Sequence, residues 1–257
     1  MPLIIVISVF IFCAFMPVKS QINQPNEDVE NPKDSRTANQ QWMQAINTKD
    51  LSTLEKLYTK DVYGLSPKGI DFSNRDSLLM IVKKNDFKVK DVRTIRRISA
   101  NANYDYEIGS FKNANDGLMK YVLIWDTSQL TDKRVLEFLD FANESVIDFK
   151  EIDIQREAWI KHCNAHNARE LIQTLYTQNT MYYNHRPMVV GRVNLIPLYS
   201  YMNNPNYQLT LEPLVVESVS KELVYEIGQC KGSYNGKYIL IWKKTEQGWQ
   251  VLFDANI

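Results

Sequence analysis

The densest group of side chains able to do chemistry in this sequence is Tyr182-Tyr183-Asn184-His185-Arg186. A phenol, an imidazole and a guanidinium in one short stretch suit the rim of a ligand pocket. There Tyr183 and His185 contact the ligand and Arg186 clamps an anion. A solvated polar loop is the alternative reading of the same residues. Glu226 stands just before Ile227-Gly228, with Glu107 at the matching place earlier in the chain. A carboxylate inside a curved sheet can act as a buried base, or it can decorate a bend that the glycine marks. Asp254 lies near the end of the last strand and Tyr176 at the end of a helix. The candidate ligand-binding set is therefore Tyr176, Tyr183, His185, Arg186, Glu226 and Asp254. No catalytic residue is assigned, because acid/base work needs a carboxylate or imidazole paired with an oxyanion donor, and no such pairing is legible. His162 and His166 are four apart on a helix, but no further ligand stands at a recognised spacing, so no metal is expected. Nine glycines form no phosphate-cradling loop, and no cofactor is expected.

These residues need elements to position them. Ile154 to Ala165 reads as an amphipathic helix carrying Trp159, Ile160 and Cys163. Asn167 is a good N-cap for a second helix ending near Tyr176, as Asp50 is earlier. A short strand around Met181 to Tyr183 follows. Gly191-Arg192 opens a third helix with Leu195, Ile196, Leu198 and Met202, which Pro197 kinks or restarts. Strands are expected at Gln208–Leu211, Leu214–Ser218, Leu223–Tyr234, Lys237–Lys243 and Trp249–Asn256. Asn235-Gly236 marks a hairpin.

The same order occurs twice. Trp42 matches Trp159, and Leu57-Tyr58-Thr59 matches Leu175-Tyr176-Thr177. Tyr106-Glu107-Ile108-Gly109 matches Tyr225-Glu226-Ile227-Gly228, and Tyr121 to Trp125 matches Tyr238 to Trp242. Offsets of 117 to 119 residues mean a duplicated domain rather than a solenoid. Each copy runs helices first and then antiparallel strands, an α+β order. In Tyr238 to Trp242 both alternating faces are apolar, so something must cover the second face. The other copy is the candidate.

The Leu175-Tyr176 pair, Gly191-Arg192, Tyr225 to Gly228, Gly236 to Trp242 and the closing Trp249 to Asp254 resemble the nuclear transport factor 2-like superfamily, which includes ketosteroid isomerase and SnoaL-like cyclases. The resemblance covers residues 36–257. It implies α+β architecture: two tandem cone-shaped domains, each about three helices packed on a curved antiparallel sheet, at 36–148 and 152–257. It also implies a small-molecule site at the cone's mouth, and pairing of sheets, as an internal pseudo-dimer of the copies or as a homodimer. The first copy departs from the pattern. Asn74-Arg75 stands for Gly191-Arg192, and Tyr63-Gly64-Leu65-Ser66-Pro67 lacks the His and Arg of the second, so any such site is single.

Lys+Arg and Asp+Glu are both 30, which leaves no electrostatic footprint for nucleic acid. Leu3 to Phe15 is almost wholly apolar and is followed by Val18-Lys19-Ser20. That reads as a signal peptide over 1–20 and implies a secreted or periplasmic protein, with an uncleaved membrane anchor as the alternative. Residues 21–35 are polar and Pro-interrupted and read as a flexible linker. Cys163 and Cys230 are two buried thiols or one bridge. The function that follows is an exported small-molecule-binding or interaction protein. The alternative is an isomerase, cyclase or hydratase acting in the second copy.

Overall fold

The structure, a computed structural model, describes residues 35–143, 147–184 and 187–257. The expected signal peptide lies outside the described residues. So does the expected linker except for Ser35, which opens the first helix. In the first half, helices α1 (Ser35–Thr48) and α2 (Leu51–Leu57) precede strands β1 (Tyr58–Ser66) and β2 (Gly69–Phe72). Helix α3 (Arg75–Lys84) and strands β3 (Val89–Ser99), β4 (Tyr104–Asn113), β5 (Leu118–Asp126) and β6 (Lys133–Phe141) follow. The second half repeats this as α4 (Lys150–Asn164), α5 (Ala168–Leu175), β7 (Tyr176–Tyr183), β8 (Val189–Val190) and α6 (Arg192–Leu198). A 3-10 turn (Ser200–Asn203) then leads to β9 (Leu209–Ser220), β10 (Leu223–Gly232), β11 (Lys237–Thr245) and β12 (Gly248–Ala255).

Local chemistry sets these boundaries. The side chains of Asp50, Asn74 and Asn167 accept from the amides of Thr53, Ser77 and Glu170, satisfying donors at three helix starts. Asn74 thus does in the first half what the Gly191 backbone does in the second. Pro197 sits inside α6, and the helix ends one residue later, continuing as the 3-10 turn.

Each half forms a six-stranded sheet, in the orders β2-β1-β6-β5-β4-β3 and β8-β7-β12-β11-β10-β9. The sheets are mixed rather than wholly antiparallel. β1 runs parallel to β6, and β7 runs parallel to β12. The cause is the strand that follows the second helix, which is longer than the sequence pattern suggested and inserts beside the last strand of its own half. The two expected strands around Pro213 are one, β9. Pro213 sits opposite Gly228 at a register shift, where a residue without a donor is tolerated.

The alternating faces of β11 separate into two cores. Tyr238, Leu240 and Trp242 pack with Trp159, Leu171 and Tyr176 under the second half's helices. Ile239 and Ile241, both fully buried, pack with Tyr106, Ile108, Val122, Ile124 and Phe138 of the other sheet. The sheets meet back to back. Phe138 lies edge-on to Tyr225 with ring centres 5.8 Å apart, and the Tyr225 hydroxyl donates to the Lys120 carbonyl at 3.3 Å. Lys120 also forms an ion pair with Glu217. Two-sided apolar strands are therefore explained within one chain.

Gly228 is required by a close approach. A Cβ there would fall 2.2 Å from the Tyr238 ring, and Gly109 stands in the same relation to Tyr121. Gly228→Ala is expected to destabilise the chain by about 1–3 kcal/mol through overpacking. The measurement is the urea midpoint. A midpoint equal to wild type would show that the Tyr238 ring yields freely.

Candidate functional site

The helix pair and sheet of the second half enclose a line of buried polar groups. Trp159 on α4 donates its indole N–H to the Tyr176 hydroxyl at 3.0 Å. Tyr176, the first residue of β7, donates in turn to Asp254 Oδ2 at 2.6 Å. Tyr199, placed by the turn after Pro197, donates to the same oxygen. Asp254 is 4% exposed and lines a cavity of about 20 Å³ together with Tyr199, Tyr201, Tyr207 and Cys230. Burial raises its carboxyl to about 6, and the two tyrosine hydroxyls pull in the opposite direction. Burial, and then the Asp254 charge, hold Tyr176 and Tyr199 well above the usual phenol range, so both remain donors.

Glu226 belongs to a different arrangement. It is fully buried and accepts both Nε and Nη2 of Arg156 at 2.8 Å, the Tyr238 hydroxyl at 2.7 Å and the Trp242 indole at 2.8 Å. Four donors occupy its two oxygens. Glu226 is the counter-ion of Arg156 rather than decoration on a sheet bend.

Of the six sequence candidates, the structure brings Tyr176 and Asp254 into contact. Tyr183 is buried in the inter-sheet core, its ring 6.0 Å from that of Tyr63. His185 and Arg186 lie outside the described residues. Cys163 and Cys230 are free thiols, pushed up to about 12 by burial. Among the described residues no group of three or more His, Cys, Asp or Glu could hold a metal, and His166 Nδ1 lies 3.2 Å from the Met202 carbonyl. No helix among them is long and apolar enough to cross a membrane.

Arg156 and Tyr199 were not singled out from sequence, nor were the cavity-lining Tyr201 and Tyr207. Arg156 had a signal, since it shares a buried helical stripe with Ile152, Trp159 and Cys163. An arginine on such a stripe demands a buried acid. Tyr199 had none, because its place depends on how Pro197 ends α6.

The first cone uses the same materials in another order. Trp42 donates to Tyr58 at 2.7 Å, and Tyr58 donates to Glu137 at 2.9 Å. Glu107 accepts from Asn39, Tyr121 and Trp125. The arginine is Arg134, on β6, which donates to Glu137 at 3.1 Å and to Asn39 at 2.9 Å. Tyr58 stands beside Arg134 in the parallel ladder, as Tyr176 stands beside Val251 in the second half. The position of Arg134 is thus held by Val251 in the second cone, and that of Arg156, three residues before the tryptophan, by Asn39 in the first.

No family model matches the chain, and no curated protein matches it. Solved structures do. The chain is similar to a nuclear transport factor 2-like protein of unknown function from Shewanella oneidensis MR-1, at 14% identity over 42% of this chain and 98% of that one, with a TM-score of 0.38. It is similar to a nuclear transport factor 2-like protein of unknown function in nutrient uptake from Rhodospirillum rubrum ATCC 11170, at 15% identity over 43% and 100%, with a TM-score of 0.36. It is similar also to a protein with a cystatin-like fold from Caulobacter vibrioides, at 11% identity over 42% and 87%, with a TM-score of 0.37. By the order of its elements and the pairing of its strands, each half of the chain fits a nuclear transport factor 2-like fold, two such domains in tandem.

Proposed function

We propose that the chain is an exported small-molecule-binding protein whose ligand cup is the second cone. One asymmetry carries this reading. Asp254 lines a tyrosine-walled cavity, and among the described residues no cation pairs with it, whereas Glu137 at the matching place in the first cone is ion-paired with Arg134. A buried carboxyl with an apolar and aromatic surround suits a small apolar molecule carrying one hydroxyl or amine. About 20 Å³ holds no more than a water, so entry requires the Tyr201-bearing turn to swing outward. Export is supported by the apolar run Leu3 to Phe15 and by Val18-Lys19-Ser20.

Phenol is a suitable probe. It is expected to raise the melting temperature of the wild type, and more so that of Tyr201→Ala, which opens the cup. Asp254→Leu, which fills the cup, is expected to show no shift. At about 100 times Kd the stabilisation is about 2.7 kcal/mol, or roughly 5–10 °C for a unit of this size. A folded Tyr201→Ala that phenol leaves unchanged would mean a plugged cone and would end the binding reading.

A second reading, an acid/base isomerase, is favoured by the Asp254 carboxyl lying near 6. Solvent deuterium exchange into a bound cyclic enone, present in wild type and lost in Asp254→Asn, distinguishes it from simple binding.

A further inference from the structure

A larger cavity, of about 640 Å³, lies between the two halves and apart from either cone. That volume falls in the range of small-molecule sites, roughly 300–1,000 Å³. One wall is the turn Pro67 to Ile70 that joins β1 and β2, and the other is built from β7, β8, β11, β12 and the start of α6. Neither half forms it alone.

Three cations line it, Lys68, Arg192 and Lys243, against one acid, Glu246. Burial raises the nearby Asp140 carboxyl while Lys68 and Lys243 pull it back, so three cations stand against two acids. The Lys243 ammonium has a long contact, 3.5 Å, to the Pro67 carbonyl. Arg192 donates through Nη1 to the Gln173 carbonyl at 2.7 Å, while its buried Nε has no hydrogen-bond partner among the described residues. Thr177 also lines the cavity. It is 9% exposed, and its hydroxyl has no partner among the described residues. A buried hydroxyl left so is uncommon, and a water or a ligand hydroxyl in the groove would partner it. Gln178 and Gln247 add amides to the wall.

We infer that this groove binds a small hydroxylated carboxylate of the sugar-acid class. The lysines and Arg192 take the carboxylate. Thr177 and the amides take hydroxyls, each of which can donate and accept. The apolar floor of Met181 and Leu252 takes the carbon face.

D-galacturonate is the probe, titrated calorimetrically into the full-length chain at low salt, with neutral D-galactose and inorganic phosphate as comparisons. Galacturonate is expected to bind roughly tenfold more tightly than galactose, and Lys243→Met and Thr177→Val each to weaken it by roughly tenfold. Lys68→Ala, at an exposed position, weakens it several-fold and carries the test even where Lys243→Met does not fold. Silence with galacturonate up to about 10 mM overturns the inference. Equal binding of galactose removes the role of the cations and overturns it too. Tighter binding of phosphate than of galacturonate makes the groove a bare anion site and rejects the sugar-acid class. Unchanged binding in both lysine variants places the ligand elsewhere.

Discussion

Arg156→Met is expected to lower stability by about 3–5 kcal/mol, a fall of roughly 6–20 °C in melting temperature. The substitution leaves Glu226 fully buried with its charge unmatched. Tyr238 and Trp242 still donate to it, but neutral donors do not replace a bidentate guanidinium at a fully buried carboxylate. The double variant Arg156→Met with Glu226→Gln removes both charges and keeps an acceptor for Tyr238 and Trp242. It is expected to recover a large part of the loss, because much of the cost is the stranded carboxylate rather than the pair. Thermal and urea unfolding of the two variants decide the matter. A single variant melting within about 1 °C of wild type would show that Tyr238 and Trp242 hold Glu226 without the guanidinium.

Asp254→Asn is expected to act in the opposite direction, and only at the higher pH. The Asp254 carboxyl is about 6 in the folded chain, against an ordinary 3.8. The folded state therefore binds this proton more tightly than the unfolded state. The stability contributed by the proton is full below pH 3.8, falls as pH rises through 6, and is absent above it. The difference is about 2–3 kcal/mol. Asparagine carries no charge at any pH and still accepts from Tyr176 and Tyr199. At pH 8 Asp254→Asn is expected to be more stable than wild type by up to that amount. At pH 4 the two are expected to be nearly equal. Exposed carboxylates such as Asp50 and Glu151 shift downward and oppose this trend in the wild type, so the reading is the difference between the two proteins. Curves that stay parallel from pH 4 to pH 8 would place the Asp254 carboxyl in the ordinary range.

Much of the architecture was legible because it repeats. Trp42 and Trp159 occupy the same turn of equivalent helices, and each indole donates to the tyrosine that begins the next strand. Asn167 and Asp50 cap where their side-chain chemistry places them. Ile239 and Ile241 were read as needing cover, and the other sheet covers them. The parallel pairing of β7 with β12 was not legible, since hydrophobic period reports a face and not a partner. For the same reason Asp254 could not be oriented from the apolar residues around it. Its surroundings depend on Tyr199, which arrives through a proline-terminated helix with no period of its own. Glu226 was visible as a carboxylate in a strand, but its partner comes from 70 residues earlier and carries only the faint mark of an arginine on a greasy helix face.

The arginine that serves each cone is carried by a helix in one half and by a strand in the other. Repeats of one fold in one polypeptide run the danger of trading parts while folding. Were α1 to settle on the later sheet, Asn39 would stand at the place of Arg156 and leave Glu226 without its bidentate partner. Were α4 to settle on the earlier sheet, Arg156 and Arg134 would be crowded into one interior. Either exchange would leave buried charges unmatched, so the differing placement of the arginine disfavours pairing a helix with the wrong sheet.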